Sequence, residues 1–90
     1  MSGVRLRQAN LAVSSVGDEQ VLLDLTGSAY YSTRGSGAFL LQRLQAGTTE
    51  DELVLALVGL YDVDNVTARE DVRAFLLELD RLSLLEANDD

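Results

Sequence analysis

The chain contains no cysteine, histidine, lysine, proline or tryptophan. Without Cys there is no disulfide framework, no thiolate nucleophile and no thiolate metal site, and without His there is neither an imidazole base nor an imidazole ligand. The missing Lys removes Schiff-base chemistry and the phosphate-binding lysine of a P-loop. Only carboxylates and hydroxyls remain as catalytic candidates, which leaves an unrecognised hydrolase as a minor alternative; no cofactor or metal is expected. No apolar run approaches the roughly 18 residues needed to cross a bilayer, and the opening "MSGVRLRQAN" lacks the apolar core of a secretory signal. These readings point to a soluble cytoplasmic protein without a membrane partner.

What is present is a 90-residue chain, 47% hydrophobic, with fifteen acids against seven bases and a net charge of −8. A chain of this length makes one domain, expected over 1–90 with its core at about 10–85, and buries only about 60–65% of its unfolded surface. The seven bases are arginines at 5, 7, 34, 43, 69, 73 and 81, scattered among acids rather than gathered in a stripe. A nucleic-acid partner is therefore disfavoured, because phosphates need a basic footprint.

The first third reads as strands. "ANLAVSSV" alternates Leu11 and Val13, "GDE" at 17–19 is a polar break, and "QVLLDL" at 20–25 is an aliphatic run. After "TG" comes "SAYYST", and connections this short favour an antiparallel meander whose third strand is an edge. Tyr30 and Tyr31 fall on opposite faces of that strand, Tyr31 sharing a face with Ala29, and Tyr31 is expected inward. Ala29 is a candidate edge donor. Asp24 is expected on the solvent face between Leu23 and Leu25, the alternative being a buried acid with a shifted pKa.

Three helices follow. "SGAFLLQRLQAG" is expected to start on a Ser36 or Thr33 cap and to stop at Gly47 in the left-handed conformation. The next helix opens with the box Thr49-x-x-Glu52, and Glu50 and Asp51 favour the positive end of its dipole. A third runs from about Asn65 to Leu82, capped by Asp64 or by Thr67-x-x-Glu70. Its main apolar stripe is Ala68, Val72, Phe75 and Leu79, with Leu76 and Leu82 on the shoulders and Asp71 and Glu78 along one side. Leu77 and Val66 lie nearly opposite and are expected to pack elsewhere in the molecule. The last four or five residues are expected to fray.

Several local motifs are better explained by structure than by chemistry. Gly35-x-Gly37 lacks the third glycine of a dinucleotide fingerprint, and its glycines suit a strand-to-helix turn. The acid clusters "TEDE" and "DVD" lack the spacing of a calcium loop. Gly35-Ser36-Gly37 does not match the Asp-Ser-Leu attachment site of an acyl carrier.

The order of elements carries more information than any one of them. An aliphatic strand ending in acid and turn ("VLLDLTG") leads to a Gly-x-x-Tyr-Tyr strand and a small-residue turn into an apolar helix. Gly-Thr-Thr-x-x-Glu and Tyr-x-Val-Asp boundaries follow, then a last helix with Asp-Val-x-x-Phe-Leu-x-x-Leu. Over about residues 10 to 85 this pattern resembles the PqqD-like peptide-recognition domains, most closely the discrete leader-binding proteins of lasso peptide biosynthesis. The resemblance implies an α+β, winged helix-turn-helix-like fold: a three-stranded antiparallel sheet followed by three helices. It also implies a non-catalytic protein that binds the leader of a ribosomally made precursor and presents it to a separate leader peptidase. In the family the leader adds as a strand in the groove between the third strand and the last helix. By position the contacts fall on Ser28, Ala29, Tyr30, Tyr31, Ser32 and Thr33, and on Asp71, Val72, Phe75, Leu76 and Leu79. Relatives commonly carry Leu-Asn where this chain has Thr33-Arg34, a departure at the end of the strand and the start of the next helix. The rival class is a winged-helix DNA-binding regulator, which the acidic second helix disfavours.

Overall fold

The computed structural model describes residues 3–27 and 29–88. Strand β1 is Gly3–Leu6, β2 Leu11–Val16, β3 Glu19–Asp24 and β4 Tyr30–Arg34. Helices α1 (Ser36–Ala46), α2 (Glu50–Leu60) and α3 (Asn65–Arg81) follow, and β5 (Leu85–Asn88) ends the described chain. The expected α+β class and antiparallel meander are present: β2, β3 and β4 form one three-stranded antiparallel sheet in sequence order. A two-residue turn at Gly17–Asp18 joins β2 to β3 and fixes their register through Val16 and Glu19.

The sheet turns Gln20, Leu22 and Asp24 of β3 towards the helices, and their partners Thr33 and Tyr31 on β4 share that face. Leu22 packs with Leu40, Leu41 and Leu44 of α1, Leu53, Val54 and Leu57 of α2, and Ala68, Val72 and Leu79 of α3. Of the expected helical stripe, Ala68, Val72 and Leu79 are buried and Phe75 is partly buried against the same core. Aliphatic side chains at helical spacing drive this assembly by leaving water, each fully buried Leu contributing about 2 kcal/mol.

The helix boundaries follow local chemistry. The Thr49 hydroxyl accepts from the Glu52 N–H at 3.1 Å, and the Thr49 N–H donates to the Glu52 carboxylate at 3.1 Å, completing the expected capping box. Asp64 caps α3 by accepting from the Thr67 N–H at 2.7 Å. At α1 neither Ser36 nor Thr33 is the cap. Gly35 occupies that position with φ 60°, and no side chain bonds to the helix start. The chain must reverse within one residue of β4, and only glycine takes that backbone without strain. Gly47 does end α1 with a positive φ, but its ψ of 136° is extended rather than left-handed helical.

Three expectations about the periphery are corrected. The C-terminal residues do not all fray: Leu85–Asn88 pairs antiparallel with Gly3–Leu6, and Val4 bridges onward to Thr48. Two chain ends meeting in space satisfy each other's backbone groups, which neither does alone. Leu77 and Val66 are exposed, at 69% and 71%, rather than packed. Asp24 is buried rather than solvent-facing, as the site geometry explains.

Candidate functional site

Backbone parity decides which groups of β4 are available. The Asp24 N–H donates to the Ala29 carbonyl at 2.9 Å, so in an antiparallel ladder Tyr31 and Thr33 also direct their backbone groups to β3. Tyr30, Ser32 and Arg34 therefore point theirs away, along an edge that pairs with no other strand among the described residues. Ala29 is consequently not the edge donor the sequence suggested. Its carbonyl is already engaged with β3.

Side chains alternate in the same way. Tyr31 faces the helices, as expected, and meets Phe75 of α3 edge to face with ring centroids 6.3 Å apart. Tyr30 lies on the outer face opposite Leu23 and is 62% exposed. The open edge of β4 thus runs beside an aromatic pair that joins strand to helix. Burial raises the Tyr31 phenol above its ordinary value; the Thr33 hydroxyl opposes that shift, and the charge of Glu78 reinforces it. At neutral pH the phenol is therefore a donor close to a carboxylate.

The remaining sequence-derived candidates divide by exposure. Asp71 is exposed on α3, and Ser32 and Thr33 are half-buried on opposite faces of β4. Val72 and Leu79 present no surface, both being fully buried in the core. They support Phe75 from beneath, because residues three and four apart on a helix lie on one face. Leu76 is on the other flank of α3, where it lines a separate concavity of about 670 Å³ with Arg73, Leu77, Asp80, Val4 and Leu85. Ser28 lies outside the described residues. Glu78 was not among the candidates, although its place three residues after Phe75 and seven after Asp71 was a readable signal.

Asp24 organises the turn that leads into β4. Its Oδ1 accepts from the Thr26 N–H (3.0 Å), the Thr26 hydroxyl (2.8 Å), the Gly27 N–H (3.2 Å) and the Arg7 guanidinium (2.7 Å). These bonds, led by those from Thr26, hold the carboxyl well below the usual carboxylate range despite burial. An aliphatic strand can bury this acid because four donors converge on Oδ1 of its ionised form.

Charge elsewhere is locally compensated. Arg69 bonds to Glu50 at 2.6 Å and Asp51 at 2.9 Å, and Arg73 bonds to Glu50 at 3.0 Å, which ties α3 to the start of α2. Arg5 pairs with Glu86, Arg34 with Glu19 and Arg81 with Glu78, while Arg43 stacks over Phe39 with its guanidinium carbon 5.1 Å from the ring centroid. Among the described residues no group of three or more acidic side chains is placed to hold a metal. No described helix is long and apolar enough to cross a membrane.

Together these features define a class: a small α+β domain with an unpaired strand edge beside a half-buried aromatic wall. The chain belongs to the family described as Coenzyme PQQ synthesis protein D (PqqD), which it matches over residues 19–85. Its PqqD-like resemblance extends to solved structures. "TbiB1 in Complex with the TbiA(beta) Leader Peptide" is 30% identical, with a TM-score of 0.85 over 96% of this chain and 99% of that one. "Lasso peptide synthetase B1 complexed with the leader peptide" is 25% identical, with a TM-score of 0.81 over 92% of this chain and 96% of that one. No curated protein matches the chain in sequence.

Proposed function

We propose that this protein is a non-enzymatic recognition element that captures the leader of a ribosomally made precursor peptide by strand addition to β4, in lasso peptide biosynthesis. The observation that carries the reading is the open edge at Tyr30, Ser32 and Arg34 beside the Tyr31–Phe75 pair. An extended peptide satisfies that edge through its backbone, which tolerates many sequences, while side chains entering the groove add selectivity. Residues of the leader opposite Ala29, Tyr31 and Thr33 face the helices; those opposite Tyr30 and Ser32 face outward. Tyr31, Phe75, Asp71 and Glu78 line the inward side, with Val72 and Leu79 beneath. Both structural neighbours hold leader peptides, which supports the same ligand class here.

A disordered leader must be ordered on binding, which opposes capture by roughly 2–5 kcal/mol. A few ladder bonds with one or two apolar anchors then suit a Kd between about 1 µM and 10 nM. The bound leader is presented to a separate peptidase in the cytoplasm, and the sheet-then-helices order fits a winged helix-turn-helix-like architecture. A DNA-binding role finds little support, since the first turn of α2 carries Glu50, Asp51 and Glu52 and six arginines are engaged with acids.

The test is a fluorescence-anisotropy titration with the labelled leader of the precursor encoded beside this gene, combined with amide chemical shifts. Saturable binding that moves the amides of Tyr30, Ser32 and Arg34 supports strand addition. Unmoved amides at saturating leader would overturn the strand-addition mode, and absence of binding would overturn the function itself.

A further inference from the structure

The two walls of the groove come from distant parts of the chain. Strand β4 is held by β3, α3 is held by α2, and the Tyr31–Phe75 contact joins them in the middle. A second connection runs through one guanidinium. Arg7 Nη1 donates to the Ser83 carbonyl at 2.8 Å, just past the end of α3, where Ser83 takes a positive φ of 61°. Its Nη2 donates to Asp24 at 2.7 Å and reaches the Asn10 carbonyl at 3.4 Å, and its Nε donates to the Ala9 carbonyl at 3.0 Å. Asp24 in turn holds Thr26 and Gly27, and its own N–H holds the Ala29 carbonyl immediately before β4. The Arg7 N–H donates to the Leu84 carbonyl at 2.8 Å, which anchors the same residue to the start of β5.

We propose that the Arg7–Asp24 pair is a strut that sets the spacing between α3 and β4, so that it positions the groove for a leader it does not touch. The proposal rests on the capture reading above. Arginine suits the role because its planar fork presents several donors in a fixed geometry, here aimed at three separate chain reversals. The pair is also shielded, with the Asp24 side chain 7% and the Arg7 side chain 22% exposed, so bulk water does not readily replace either partner. An ion pair serving only stability has no need to bridge the end of one wall to the entrance of the other.

The test separates spacing from stability. Arg7→Met leaves a buried carboxylate without its cation and is expected to lower Tm. The double variant Arg7→Met/Asp24→Asn removes both charges, and its Tm is expected to recover part of that loss while the strut stays absent. Leader affinity is measured with the same labelled leader, for each variant well below its Tm, where a purely structural role leaves Kd unchanged. The strut predicts that the single Arg7 variant and the double variant both bind about tenfold more weakly than wild type, with a weakened Tyr31–Phe75 ring NOE in the free protein. Asp24→Asn alone, which keeps an acceptor for Thr26, Gly27 and Arg7, is expected to stay within about threefold. A folded double variant that binds like wild type overturns the strut but leaves leader capture intact. Failure of wild type to bind overturns capture, and an unchanged ring NOE in the double variant then also overturns the strut.

Discussion

The sheet has two edge strands, and they differ in what stands beside them. Strand β2 is exposed along nearly its whole length, from Ala12 to Val16, and offers an extended chain only its backbone. Strand β4 is half-buried at Tyr31, Ser32 and Thr33 and has Phe75 alongside. The backbone groups on the two free edges are equivalent; the apolar wall is not. A bare edge is an aggregation hazard, whereas an edge with a shaped wall selects what pairs with it. The small β1–β5 pair makes the same point from the other side, since the far edge of β1 is already bridged by Thr48.

The sharpest way to break this contrast is to remove the wall. Phe75→Ala is expected to weaken leader binding about thirtyfold, or about 2 kcal/mol, and to lower Tm. Phe75→Leu restores much of the Tm, which allows anisotropy on a folded variant to report the lost ring. Next comes the edge itself. Ser32→Pro removes an outward-facing donor of β4 and is expected to weaken binding about tenfold, whereas Val13→Pro removes the equivalent outward donor of β2 and leaves Kd unchanged. Equal losses in the two titrations would erase the distinction between the edges. Tyr30→Ser, on the outer face, is expected to change Kd by no more than about threefold.

Two smaller effects concern stability without capture. Thr49→Ala removes the α2 capping box and is expected to cost about 1 kcal/mol in denaturant unfolding, with Kd unchanged. The Asp24 carboxyl is depressed in the folded state, so its contribution is present above the unfolded value of about 3.9 and falls away as pH drops below that. Wild type should therefore lose stability more steeply below about pH 4 than Asp24→Asn, as read from urea midpoints across that range.

Much of the fold was legible because its signals are local. The alternation of β2, the aliphatic run of β3, the Thr49–Glu52 box, the Asp64 cap and the stripe of α3 each depend on residues within a turn or a strand of one another. Alternation put Tyr30 and Tyr31 on opposite faces, and the ladder with β3 and the contact with Phe75 decided that Tyr31 is the inward one. What was hidden depends on distance along the chain. Residues 86 to 88 read as part of a fraying tail because their partners lie 81 to 85 residues earlier, between Gly3 and Arg5. Asp24 read as exposed because a lone acid in an aliphatic strand usually faces water, and the Arg7 that makes its burial possible lies on another strand's exit. Ala29 and Ser32 are both small residues near the edge, and only the ladder distinguishes the engaged backbone from the free one.

Sequence by itself determined the three-stranded meander, the three helices, the buried stripe and the absence of thiol, imidazole and amine chemistry, because each is written in composition or in a short repeat. The tertiary structure decided which amides of β4 stay open, where Phe75 stands relative to Tyr31, and how Arg7 links Ser83 to Asp24. Those facts arise from closing the chain on itself, where hydrogen-bond parity and burial are shared between residues that no local pattern connects.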